Sequence, residues 1–269
     1  MVAVKMSNQE VRHGKGHLVG SYMELTSKVA ELQFRNREHV LLFRGQSTDH
    51  VNRAQNTRLL PSIFHPNKRA GRVHGQELRL RFELLRRAEA ELVQCYRDQK
   101  LLGMERVTRH SVLRWSILQH YQVCGTPLLD VTHSLRIAAS FASHKPADEG
   151  FIYVLGVPNL SGSVTASVEA GLQIVRLSSI CPPAAMRPHV QQGYLIGEYP
   201  EMGDYGQKEL YDQAEIDPAR RLIAKFRLKP SSFWGRQSNF PLVAKRALFP
   251  SIRQDALLKL TREVKTRLK

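Results

Sequence analysis

His120-Tyr121, then Thr126-Pro127-Leu128-Leu129-Asp130-Val131-Thr132, then Ser134-Leu135-Arg136-Ile137-Ala138-Ala139-Ser140-Phe141-Ala142 is the stretch on which the reading of this chain turns. His120 and Tyr121 close one helical pattern. Ser134 opens another, whose Ala138, Ala139 and Ala142 permit very close packing on a sheet. Asp130, Thr132 and Ser134 flank the start of that second helix, and each can cap exposed backbone N–H groups. A helix start with free donors is also a place for an anion.

Upstream, Ser21-Tyr22-Met23-Glu24 has the S-x-x-E form of a capping box. Leu25, Val29 and Leu32 follow at helical spacing, so a helix is expected over residues 21–35. His39-Val40-Leu41-Leu42-Phe43-Arg44 is a short apolar run that ends at Gly45, a strand signal. Residues 46–58 are polar and aperiodic, and Leu59-Leu60-Pro61-Ser62-Ile63-Phe64 reads as a fixed loop on the core. Leu78, Phe82, Leu85, Leu92 and Tyr96 make one stripe of a long amphipathic helix over residues 76–97, with arginines on its other side. A further helix is expected over residues 110–121.

Downstream of the 134–143 helix the signals turn to strands, over residues 151–157, 172–177, 190–196 and 222–228. Leu222, Ala224, Phe226 and Leu228 alternate with Ile223, Lys225 and Arg227, a half-buried pattern. A basic helix from about residue 255 closes the chain. Helices gather in the N-terminal half and strands in the C-terminal half, which predicts an α+β fold. The expected organisation is a flexible tail over residues 1–20 and a single domain over residues 21–269.

The chain has 269 residues, 42% of them hydrophobic, enough for a sizeable core. Lys and Arg outnumber Asp and Glu by 40 to 24, a formal charge of +16 that favours a polyanionic partner such as RNA or DNA. The three cysteines are scattered without C-x-x-C spacing, so no metal site is expected from them. Their odd, sparse count suits a reducing compartment. No secretory signal and no membrane-length apolar run is visible, and a cytoplasmic protein is expected. P-loop, dinucleotide-binding, zincin and α/β-hydrolase motifs do not occur in the sequence.

Arg44 ends an apolar strand, where a guanidinium needs an anion or several acceptors. A phosphate and a salt bridge to a residue such as Asp130 are both open readings. His120 is either a satisfied core group, a base, or a partner for a ribose. Tyr121 either stacks on a flat ring or fills the core. Arg187-Pro188-His189-Val190-Gln191-Gln192-Gly193-Tyr194 is a third polar cluster. In a strand its two glutamines would face opposite sides. Glu198 follows it.

Phe43-Arg44-Gly45-Gln46, Leu60-Pro61-Ser62, Gln119-His120-Tyr121 and Thr126-Pro127-Leu128-Leu129-Asp130-Val131-Thr132 together resemble the FRG domain. Ala138-Ala139-Ser140-Phe141-Ala142, Gly150-Phe151-Ile152-Tyr153-Val154-Leu155, Arg187-Pro188 with Gln191-Gln192-Gly193, and Leu248-Phe249-Pro250 continue the likeness over residues 40–251. The segment between Tyr121 and Thr126 is one residue longer than usual for that family, and Val131 stands where a Trp is common.

The Phe-Arg-Gly strand is in turn similar to the Tyr-Arg-Gly strand of ADP-ribosyltransferases of the Arg/Ser/Glu type. That likeness implies a mixed β core, NAD as substrate and no metal. It gives Arg44 and Gly45 to the NAD phosphates, with Asp130, Thr132 and Ser134 completing that clamp. It also implies Tyr121 or Tyr194 on nicotinamide, and Arg187, Gln191, Gln192 and Glu198 near the reacting ribose with His120. Toxin or antiphage-defence work, with a protein partner or antitoxin, is implied by family analogy. The competing expectation is a non-catalytic, basic nucleic-acid-binding or regulatory module.

Overall fold

The computed structural model describes residues 6–66, 73, 75–212, 215–235 and 239–269. Its strands in chain order are β1 His17–Val19, β2 Val40–Gln46, β3 Leu129–Thr132, β4 Gly150–Val157, β5 Val164–Ser167, β6 Leu172–Arg176, β7 Gly193–Glu198 and β8 Leu222–Leu228. The helices are α1 Asn8–His13, α2 Tyr22–Arg35, α3 Gly75–Asp98, α4 Met104–Arg109, α5 Ser111–His120, α6 Leu135–Ser143, α7 Leu177–Ile180, α8 Met186–Val190, α9 Tyr205–Glu209, α10 Pro230–Phe233, α11 Lys245–Leu248 and α12 Ala256–Arg267. The α+β expectation holds, with mixed strand pairing. By contact density the chain forms two compact units. One comprises Met1–Leu59, Val131–Leu160 and Pro218–Leu248, the other Leu60–Asp130, Ser161–Asp217 and Phe249–Lys269.

In the first unit the strands run in the order β1-β8-β4-β2, and Phe43 of β2 also pairs with Thr132 of β3. β4 is antiparallel to both β2 and β8, whereas β1 adds in parallel to β8. Leu41, Phe43, Ile152, Val154, Phe226 and Leu228 pack on the alanines of α6, with Leu25 of α2 and Phe233 of α10. Two glycines let α6 lie against the strands. A Cβ on Gly45 would meet the Ala138 carbonyl oxygen at 1.7 Å, and one on Gly150 would meet the Ala142 carbonyl oxygen at 2.4 Å.

Successive strand residues face opposite sides, so Arg44, Tyr153 and Lys225, which register across β2, β4 and β8, share the other face. The 46–58 segment, expected to be an aperiodic loop, folds over this row. Asp49 accepts from the Tyr153 hydroxyl at 3.1 Å, from Lys225 Nζ at 2.8 Å and from Thr57 Oγ1 at 2.9 Å.

The second unit has the antiparallel order β5-β6-β7. Phe82, Leu85, Leu92 and Tyr96 of α3 build its core with Trp115 and Leu118 of α5 and with Leu257, Leu260 and Val264 of α12. The α3 residues are the stripe that sequence periodicity marks. Cys95, also in this core, is fully buried, and all three cysteines are free.

Three local expectations need correction. The start of the chain was expected to be loose, but Ser7 and Glu10 form a reciprocal capping box on α1, and β1 pairs with β8. Residues 1–5 lie outside the described residues. The strand expected over residues 190–196 is instead helix α8, a turn, and then β7 from Gly193. Gln192 in that turn has φ 45°, a left-handed conformation that interrupts extended backbone. Gln191 and Gln192 therefore do not alternate across a strand.

Candidate active site

The sequence-predicted residues divide between the two units. In the first are Arg44, Gly45, Thr132 and Ser134. Arg44 is half-buried on β2. With the Gln46 amide turned so that its oxygen faces the guanidinium, it accepts from Arg44 Nε and Nη2 at 3.1 Å each. Thr132 Oγ1 accepts from the Ser134 backbone N–H at 3.1 Å, and Ser134 Oγ accepts from the Ile137 N–H as the N-cap of α6. Both hydroxyls are thus acceptors in the turn and cap.

In the second unit the motif residues converge on one carboxylate. Asp130 Oδ1 lies 3.0 Å from His120 Nδ1, and Asp130 Oδ2 accepts from Gln119 Nε2 at 2.8 Å. Gln119 Oε1 in turn accepts from Ser62 Oγ at 2.7 Å and Thr126 Oγ1 at 2.8 Å. The Ser62 hydroxyl also accepts from the Thr126 N–H. Leu60-Pro61-Ser62, Gln119-His120 and Thr126 to Asp130 are distant in sequence, yet they form a single hydrogen-bonded network.

His120 is buried, and among the described residues its Nε2 has no hydrogen-bond partner. Burial holds its pKa below the ordinary value of 6.5, against the opposing pull of the Asp130 hydrogen bond. The ring is therefore neutral near pH 7. With Nδ1–H donating to Asp130, Nε2 keeps its lone pair and can act as a base. Gly193 opens β7 beside this ring: a Cβ there would meet Leu177 Cδ1 at 2.8 Å and His120 Cε1 at 3.3 Å.

Tyr121 does not present a ring face to solvent. It is buried, its hydroxyl donates to Asp255 at 2.9 Å, and the Arg187 guanidinium lies 5.4 Å from its ring centroid. Burial and the Asp255 carboxylate push its pKa far up. Asp255 also accepts from the Arg187 N–H at 2.8 Å and caps α12 through the Leu258 N–H at 3.0 Å. On the other side Arg187 lies 4.9 Å from the Phe249 centroid. Its Nε has no hydrogen-bond partner among the described residues. Burial lowers its pKa, with Asp130, Tyr121 and Asp255 opposing, and it stays a cation at neutral pH.

Gln191 is buried beside this cluster in sequence, Gln192 is exposed and Tyr194 is half-exposed. Glu198 is buried at the end of β7 opposite to Gly193. At the rise of a strand that separation is ~17 Å, so β7 does not carry Glu198 to the His120 ring. Sequence reading missed Asp255 and the bracing role of Gln119 and Ser62. The signals available were an Asp before a helical stripe, which marks an N-cap, and the recurrence of polar residues inside otherwise apolar motifs.

Residues 39–150 match the model of the FRG domain. Over those residues the chain is similar to the FRG domain. The match contains Arg44, Gly45, helix α6 and the whole Ser62–Gln119–Thr126–Asp130–His120 network. Arg187, Phe249 and Asp255 lie beyond it. No curated protein and no solved structure matches the chain. Among the described residues no group of three or more His, Cys, Asp or Glu side chains could hold a metal, and no helix is long and apolar enough to cross a membrane. What the second unit offers is the His120–Asp130 pair and, in its own cluster, the Arg187 guanidinium.

Proposed function

We propose that this chain is an FRG-domain, ADP-ribosyltransferase-like enzyme. It would cleave the bond between nicotinamide and ribose of NAD and pass ADP-ribose to a polyanionic acceptor such as RNA or DNA, or to water. The observation that carries this reading is the buried Asp130–His120 pair, whose Nε2 has no partner among the described residues. Such a pair is built to take a proton from an acceptor hydroxyl. The guanidinium of Arg187, sandwiched by two rings, suits a phosphate oxygen.

In this reading Arg187 binds a phosphate oxygen. The half-exposed Tyr194 takes the stacking role, because the face of Tyr121 is covered by Arg187. As nicotinamide leaves, a cationic ribose forms, the acceptor oxygen attacks it, and His120 Nε2 takes the acceptor's proton. The placement of Glu198 favours Asp130, one-third exposed, as the nearby carboxylate. By family analogy the setting is a cytoplasmic toxin or antiphage-defence effector with a protein partner.

The test is nicotinamide release and acceptor mass after incubation of the chain with NAD, alone and with RNA or DNA. Release that is lost in both Arg187→Ala and His120→Ala supports the proposal. A folded wild-type chain that leaves NAD intact in every mixture overturns it. The second reading, a non-catalytic polyanion-binding module, is favoured by the charge distribution. The first unit holds 19 Lys and Arg against 7 Asp and Glu, the second 21 against 17.

A further inference from the structure

The sequence points to the basic sides of α3 and the C-terminal helix as the grip on a polyanion. In the structure part of that charge is offset by acids. Arg81 pairs with Glu77, Arg86 with Asp204, and Arg267 with Glu91, Asp98 and Glu263. The charge surplus lies in the other unit. There α1, β1, α2, β8 and the turn of residues 218–221 enclose a groove of about 980 Å³.

We propose that this groove binds single-stranded nucleic acid. Its rim carries Lys15, Lys28, Arg35, Arg220 and Arg221. Its two acids are already engaged: Glu10 accepts from Ser7 at 2.6 and 2.8 Å, and Glu31 pairs with Arg35 at 2.9 Å. The positive surplus therefore rests on the exposed Lys15 and Lys28. Its floor is apolar, formed by Val11, Leu222, Ile223 and Phe226. The exposed His17 ring stands edge-on to Phe226, with centroids 6.2 Å apart.

A rim of cations over an apolar floor matches a strand whose phosphates lie outward and whose unpaired bases turn in. A duplex shows its phosphates and hides its base faces, so it would leave the floor unused. This inference rests on the polyanionic partner named above and not on NAD chemistry, so the two can fail separately.

The experiment is fluorescence anisotropy with a labelled 20-nucleotide single-stranded RNA and its DNA equivalent, over a range of salt. Wild-type chain is expected to bind both, more tightly than the matching duplex. The double substitution Lys15→Glu with Lys28→Glu should weaken binding at least tenfold. It should also flatten the slope of log affinity against log salt by about 1.4, at about 0.7 per lost phosphate contact. Lys259→Glu with Arg262→Glu on α12 should leave affinity within twofold. Equal loss in both variants, unchanged affinity in the groove variant, or no wild-type binding overturns the proposal. So does tighter binding to anionic phospholipid vesicles than to the oligonucleotides. Nicotinamide release measured on the same groove variant without nucleic acid should equal wild type.

Discussion

Gly45 of β2 sits so close to Ala138 of α6 that a single added carbon would lie 1.7 Å from the Ala138 carbonyl oxygen. The obstacle is helix backbone, which cannot swing aside as a side chain can. Gly45→Ala must therefore push α6 off the sheet that Phe43 and Ile152 form beneath it. We expect a loss of more than ~3 kcal/mol, beyond the usual cost of overpacking. Urea denaturation and soluble yield measure it. A Gly45→Ala chain with a wild-type midpoint would show that α6 does not press on β2.

The Lys225–Asp49 pair supports a different prediction. Lys225 Nζ lies 2.8 Å from Asp49, and the lysine side chain is 2% exposed. Removing one partner leaves the other charge buried, so Asp49→Ala should cost ~3–5 kcal/mol. Replacing both, as Asp49→Leu with Lys225→Met, should cost clearly less than the sum of the single changes. A double-mutant cycle in urea reads the coupling. Additive single losses would mean that the two charges are solvated separately.

These two relationships differ in how far the sequence exposed them. The helical stripes of α2, α3, α5 and α12 and the alternation in β8 are periodic, so their cores were legible from spacing alone. The close approach at Gly45 was also signalled, because a glycine ends an apolar run and three alanines mark α6. Asp49 was invisible: it sits in an aperiodic polar segment, and its partners Tyr153 and Lys225 lie 104 and 176 residues away. The same holds for Asp255, which meets Tyr121 across 134 residues. At the candidate site the resemblance singled out the motif residues Ser62, Gln119, Thr126 and Asp130. That they brace one carboxylate follows only from their contacts. The α8–β7 turn misled for a local reason, since apolar residues on both sides of Gln191-Gln192 imitate a continuous strand.

His120 gives a pH prediction. Its folded pKa lies below 6.5, chiefly because burial penalises the charged ring. The unfolded chain then takes up the proton more readily than the folded one. The neutral buried ring therefore contributes its full stability above pH 6.5, and this contribution is lost as the pH falls from 6.5 towards the folded value. Between pH 7.5 and 5 the urea midpoint of wild type should drop more than that of His120→Asn. The difference between the two curves is the measurement, because other groups titrate in both proteins. Parallel curves would mean that His120 titrates alike in the folded and unfolded chain.

Asp255 separates stability from site geometry. Its carboxylate accepts from the Tyr121 hydroxyl and from the Arg187 and Leu258 N–H groups. Asp255→Ala strips three donors, one buried and two partly buried, of their acceptor and removes the N-cap of α12, a loss of ~3 kcal/mol or more. Tyr121→Phe removes one donor and leaves Asp255 with the other two, so it should cost only ~1 kcal/mol. It also keeps an aromatic face under the Arg187 guanidinium. Nicotinamide release by Tyr121→Phe should then stay within a few-fold of wild type, whereas Tyr121→Leu, which removes the aromatic face, should raise the KM for NAD. If Tyr121→Phe and Tyr121→Leu raise KM equally, the hydroxyl and not the ring holds Arg187 in place.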